Sequence, residues 1–163
     1  MSKRVFTFLI VLSMAAVTAA QTKVAGTAQC GKPDPQHMID IGDQPGHAFS
    51  ISQYKCTWTK PFEYSGIKNK GGTGTEFDEI SGDSSSLRGL YLDTMENGDT
   101  VHYSYEGTAK MKDGMVESVD NKWTIIRATG KLEGLKASGT CKGKSDGEGG
   151  VIFECEGEYK SGT

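Results

Sequence analysis

The chain has 163 residues, 36 % of them hydrophobic and 22 of them glycine, with a formal net charge of −3. The first twenty positions are mostly apolar and glycine-free, so the remainder, 21–163, is a single, glycine-heavy, net-acidic domain. That acidic balance removes the electrostatic attraction on which nucleic-acid binding rests, and excludes that class of partner.

Residues 1–20 begin with Lys3 and Arg4, continue through an apolar run from Val5 to Val17, and end on Thr18-Ala19-Ala20. Basic, apolar and small-residue regions in that order predict a secretory signal peptide cleaved before Gln21. The run is broken by Thr7, Ser13 and Thr18 and is shorter than the about 20 residues of a membrane anchor. The expectation is therefore a secreted or periplasmic protein, with no membrane association after signal cleavage. In an oxidising compartment an even cysteine count reads as disulfides. The glycine-rich segment 143–150 predicts a turn that lays Cys141 opposite Cys155, and Cys30 is left for Cys56. The cysteines are scattered, with no Cys-x-x-Cys spacing, so no metal site is expected.

Along the chain, alternation by two dominates and helical periodicity is nearly absent. Strands are predicted near 22–28, 46–58, 73–81, 86–95, 100–111, 115–128, 135–143 and 150–159. Between the first two lies one long irregular segment, Gln29 to Pro45, tethered by Cys30 and Cys56 and placed to cover one mouth of a barrel. Asn97-Gly98 and Asp113-Gly114 are hairpin signals, because these residues tolerate positive φ. Val101, Tyr103, Tyr105, Gly107 and Ala109 share one face of their strand, as do Phe153, Cys155, Gly157 and Tyr159. Short strands without intervening helices exclude a parallel sheet. Glycines inside strands favour sharp bending and closure. The fold class is all-β: an antiparallel, about eight-stranded small barrel of calycin-like type with two disulfides.

Asp93-Thr94-Met95-Glu96-Asn97-Gly98-Asp99 and Ala128-Thr129-Gly130-Lys131-Leu132-Glu133-Gly134-Leu135-Lys136-Ala137-Ser138-Gly139 resemble the allene oxide cyclase-like and dirigent-like barrel proteins. The second stretch is similar to their Gly-Thr-Gly-Lys-Phe-x-Gly-x-x-Gly signature and departs from it at Ala128, Leu132 and Ala137. With the strand series, the likeness covers about Thr73 to Tyr159. It implies an antiparallel, eight-stranded barrel whose lumen takes a small molecule. Members include plant enzymes that steer cyclisation or coupling of a reactive intermediate, and bacterial exported proteins with no attached activity, which this chain resembles more. None of the plant enzymes' catalytic residues can be matched here.

Candidate site residues come from the faces expected to point inward. Tyr91, Tyr103, Tyr105 and Trp123 are candidate walls for a small, mostly apolar ligand, with Gly89, Gly107 and Gly157 leaving space between them. Asp93 shares a face with Leu87, Tyr91 and Met95: it is either an inward carboxyl of raised pKa or the cap of the Asn97-Gly98 hairpin. Arg127 shares a face with Trp123 and Ile125, as a buried cation or one that snorkels at the strand end. Glu76 and Asp78 are read as solvent-facing with Phe77 inward, the alternative being an inward acid–base pair. The histidines His37, His47 and His102 join no nucleophile motif, and no EF-hand spacing occurs among the acids, so no cofactor is expected. Three roles stay open: a binding module, an isomerase- or cyclase-type barrel enzyme using Asp93 or Glu76, and a filled-barrel structural protein.

Overall fold

The computed structural model describes residues 21–162, so the predicted signal peptide lies outside the described residues. The strands are β1 (Thr22–Cys30), β2 (Gln36–Asp40), β3 (His47–Lys60), β4 (Glu63–Tyr64), β5 (Ile67–Ser81), β6 (Ser84–Met95), β7 (Thr100–Lys112), β8 (Met115–Ala128), β9 (Lys136–Ser145) and β10 (Val151–Lys160). One 3₁₀ turn, Gly130–Leu132, is the only helical element among the described residues. The order β3-β1-β10-β9-β8-β7-β6-β5 is closed by pairing of β5 back onto β3, an eight-stranded antiparallel barrel with β2 and β4 as additions. Alternating sequences form it because closure leaves no long edge and gives each strand one dry and one wet face.

All eight predicted strands are present, and the hairpins at Asn97-Gly98 and Asp113-Gly114 form; at the latter both residues have positive φ, 53° and 75°. Both disulfides join directly opposed residues, Cys30 to Cys56 across β1 and β3, and Cys141 to Cys155 across β9 and β10. Three expectations are corrected. The segment after Cys30 is not wholly irregular: it follows the β3 edge through Asp34 N to Gln53 O (2.7 Å) and Gln53 N to Pro35 O (2.9 Å), then pairs as β2. The disulfide at its start holds it against that edge, and an edge strand tolerates nearby prolines. Strand β5 begins at Ile67 and not near 73, running through Gly71 and Gly72, where the backbones of β3 and β6 come too close for a side chain. Phe77 points outward, 5.4 Å from Phe49 with Arg88 stacked 4.9 Å above its ring, so Glu76 and Asp78 point inward.

The two barrel ends differ. At one, Phe62, Tyr64, Met95, Val101, Leu132 and Leu135 are buried together and form a plug. The two stretches that carry the family resemblance meet here. Asp99 accepts from Lys131 N at 2.9 Å and from Asn97 Nδ2 at 2.7 Å, and Thr129 Oγ1 accepts from Thr100 N at 2.8 Å. That motif builds the closed end, not a site. The opposite end, where β2 overhangs, is the mouth.

Candidate functional site in the barrel lumen

Inside an eight-stranded barrel there is room for one layer of side chains or for a ligand. This chain fits large rings by putting glycine beneath them. Tyr54 lies over Gly74, Tyr105 over Gly89, Trp123 over Gly139 and Gly157, and Phe153 over Gly143. The space expected at Gly89 and Gly157 is thus occupied by rings. Gly107 is no vacancy either, because a Cβ there would overlap the β8 backbone at Asp120 and Asn121.

Two adjoining cavities remain. The deeper, about 80 Å³, is lined by Tyr54, Trp58, Tyr91, Tyr103, Tyr105 and Trp123, with both disulfides in its wall. The second, about 100 Å³, lies towards the mouth among Glu76, Asp78, Ser85, Leu87 and Val119, and shares Cys30, Tyr54 and Phe153 with the first. On the wall of the deeper cavity Asn121 Oδ1, Trp123 Nε1 and the Tyr91 hydroxyl are buried without a hydrogen-bond partner among the described residues. Trp123 is only 6 % exposed.

The mouth carboxyls sit among neutral groups. Tyr54 donates its hydroxyl hydrogen to Tyr105 at 2.8 Å, and the Tyr105 hydroxyl lies beside Glu76. Burial pushes Glu76 up to about 8, with the nearby Asp78 charge adding to the rise and Tyr105 opposing it. Asp78 is also raised by burial, against the hydrogen bond it accepts from Ser85 Oγ at 3.0 Å. The same burial drives the hydroxyls of Tyr54 and Tyr105 far above the ordinary tyrosine value, so both stay neutral donors.

Asp93 is 0 % exposed and lies below the cavities, at the plug. It accepts from Trp58 Nε1 at 2.8 Å and from Asn69 Nδ2, which also reaches the Tyr103 hydroxyl at 3.3 Å. Burial raises it to about 6 while these two donors pull it down. It does not cap the Asn97-Gly98 turn, where Asp99 and Asn97 bond each other.

Of the sequence candidates, Tyr91, Tyr103, Tyr105 and Trp123 line one cavity, whereas Asp93 stands behind it and is linked to its wall through Trp58 and, by way of Asn69, Tyr103. Arg127 is exposed on the outer surface. The reason is a β-bulge: Tyr103 pairs with Ile125 but His102 with Arg127, so one extra residue reverses the alternation that would have set Arg127 beside Trp123. Tyr54 and Asn121 were missed. Tyr54 shares its face with Cys56 and Trp58, and Asn121 sits two residues before Trp123, so simple alternation from an inward residue would have found both.

No protein-family model matches the sequence, and no curated protein matches it. Solved structures similar to it include the following two. One is the pterocarpan synthase dirigent protein GePTS1, at 13 % identity and a TM-score of 0.50, covering 96 % of this chain and 99 % of that one. The chain folds as a dirigent-like barrel. The other is a protein of unknown function of the DUF3224 family from Shewanella oneidensis MR-1, at 15 % identity and a TM-score of 0.49, covering 88 % and 99 %. The likeness to the dirigent protein, at 13 % identity, shows the fold and leaves the activity open.

Proposed function

We propose that the protein is an exported binding module that holds one small molecule, of mostly apolar body with a polar anchor, in the lumen. The observation that carries this reading is the pair of partnerless polar atoms, Asn121 Oδ1 and Trp123 Nε1, on the wall of an aromatic cavity. A buried polar group left unpaired costs about 1–3 kcal/mol, and a ligand that bonds both removes that cost. Two disulfides fit an oxidising compartment and support export. The volumes of about 80 and 100 Å³ set the size. A cavity of about 150 Å³ holds benzene, so the lumen suits a one-ring molecule.

Phenol is a suitable probe. It should perturb tryptophan fluorescence by binding beside Trp58 and Trp123, whereas the two-ring 2-naphthol should not enter. Ala28→Leu, on the wall of the deeper cavity, should abolish phenol binding while the folded circular dichroism spectrum is kept. Absence of phenol binding, or binding indifferent to Ala28→Leu, would overturn the reading. A second reading, an isomerase- or cyclase-type enzyme, is favoured by Glu76, which is protonated at neutral pH beside a tyrosine hydroxyl and so equipped as a general acid. Turnover abolished by Glu76→Gln with binding retained would establish it.

A further inference from the structure

The strand register arranges the lumen's polar groups in two neighbouring rows. In one, Glu76 pairs with Gly89, Gly89 with Tyr105 and Tyr105 with Trp123. In the next, Asp78 pairs with Leu87, Leu87 with Gly107 and Gly107 with Asn121. Each row spans four strands, from a carboxyl on β5 to an unpartnered polar atom on β8. Among the described residues, no lysine, arginine or histidine lines either cavity. Among the described residues that face Glu76 none is a cation: Asp78 is of like sign, Tyr54 on β3 and Tyr105 on β7 are neutral, Tyr105 offering only a hydrogen bond, and Arg88 on β6 turns outward over Phe77. Two carboxyls without a counter-charge, beside the rings of Tyr54, Tyr105 and Phe153, are an environment that attracts a cation, since aromatic rings as well as carboxylates stabilise positive charge. Asn121 Oδ1 can only accept and Trp123 Nε1 can only donate, and a hydroxyl group satisfies both at once.

We propose that the ligand is a small organic cation that also carries a hydroxyl group, its ammonium centre beside Glu76 and Asp78 and its hydroxyl between Trp123 Nε1 and Asn121 Oδ1. This rests on the reading of the lumen as a binding site and specifies its chemistry.

Three probes separate the parts: choline, its neutral isostere 3,3-dimethyl-1-butanol, and tetramethylammonium, which lacks the hydroxyl. Titrated calorimetrically at pH 9, choline should bind about tenfold or more tightly than the isostere, the worth of one desolvated cation contact. Glu76→Gln with Asp78→Asn should erase that preference, and Trp123→Phe should weaken choline but not tetramethylammonium. Unaltered protein gives a second readout that needs no variant. Because Glu76 is protonated up to about 8, choline affinity should rise between about pH 6 and pH 9, with protons released on binding, whereas the isostere's affinity should stay flat. Equal affinities for choline and the isostere, with phenol still bound, would overturn the cation and leave the binding lumen standing. Failure of phenol, choline and the isostere alike would overturn both.

Discussion

Two buried carboxyl sites, one at each end of the same barrel, differ mainly in the company they keep. At the plugged end Asp93 accepts from Trp58 and Asn69, and Asn69 connects it to the hydroxyl of Tyr103, itself bonded to Tyr64 at 3.3 Å. At the mouth Glu76 has only the Tyr105 hydroxyl beside it, and Asp78 only Ser85. Burial raises both sites, but Asp93 to about 6 and Glu76 to about 8, because donors to a carboxylate favour its charged form. Asp93 takes two side-chain donors on Oδ2, although its Oδ1 is buried without a partner among the described residues, and a carboxyl tied to two other strands in this way belongs to the framework. One left short of donors is available to a visitor.

The largest test of this division is mechanical. Phe62 packs 4.7 Å from Trp58 and 5.5 Å from Trp123 and is fully buried in the plug, so Phe62→Ala should cost about 3–5 kcal/mol in urea unfolding. Met38, 59 % exposed at the mouth, should change stability by less than about 0.5 kcal/mol when cut to alanine. Similar losses at the two positions would dissolve the distinction between a structural end and a free one.

The disulfides sharpen it next. Replacing Cys141 and Cys155 by alanine, or Cys30 and Cys56, should cost about 3 kcal/mol on the chain-entropy view, somewhat more for the pair separated by 26 residues than for that separated by 14. The two losses should look different under limited proteolysis. Loss of Cys30–Cys56 releases the segment that runs from Gly31 to β2 along the mouth, so cleavage should concentrate between residues 31 and 45. Loss of the β9–β10 bridge should leave that segment protected. Equal cleavage patterns would mean that pairing with β3, not the bridge, holds the overhang in place.

Much of the architecture was legible because alternation and turn chemistry are local. Asn97-Gly98, Asp113-Gly114 and the opposed cysteines at 141 and 155 each fixed a hairpin from a few residues. The site was harder to read, since its features arise from register between distant strands. Whether Glu76 or Phe77 faces inward depends on where β5 is seated against β3 and β6, and an alternating run looks the same either way round. One bulge at Ile125–Arg127 was enough to turn Arg127 out of the lumen. Nor could glycine content tell empty space from space filled by a ring from a distant part of the chain: Gly157 lies under Trp123, which the chain order alone does not bring together. The family motif pointed to the barrel and not to the site, for its residues build the plug and say nothing of the mouth.

The smallest effect expected is in the pH dependence of stability. An unfolded glutamate titrates near about 4.3 and an unfolded aspartate near about 3.9. Folded Glu76 and Asp93 titrate at about 8 and about 6, so between these limits the folded state binds more protons than the unfolded state. Stability is therefore greatest below about pH 4 as far as these two groups are concerned. It falls as pH rises, Asp93 giving up its share through about 6 and Glu76 through about 8. Glu76→Gln removes only the upper part of that slope. It should leave the melting midpoint at pH 5 close to that of the parent and raise it by a few degrees at pH 9, where the parent must keep a charge in a dry mouth. Asp93→Asn should flatten the lower part instead: Trp58 and Asn69 both donate to Oδ2, so an amide oxygen takes its place with the NH₂ group at the unpartnered Oδ1 position, and the fall in melting midpoint between pH 5 and pH 7 should shrink. A Glu76→Gln variant no more stable than the parent at pH 9 would mean that the mouth is wet enough to solvate the charge, and the contrast between the two ends would then be one of packing alone.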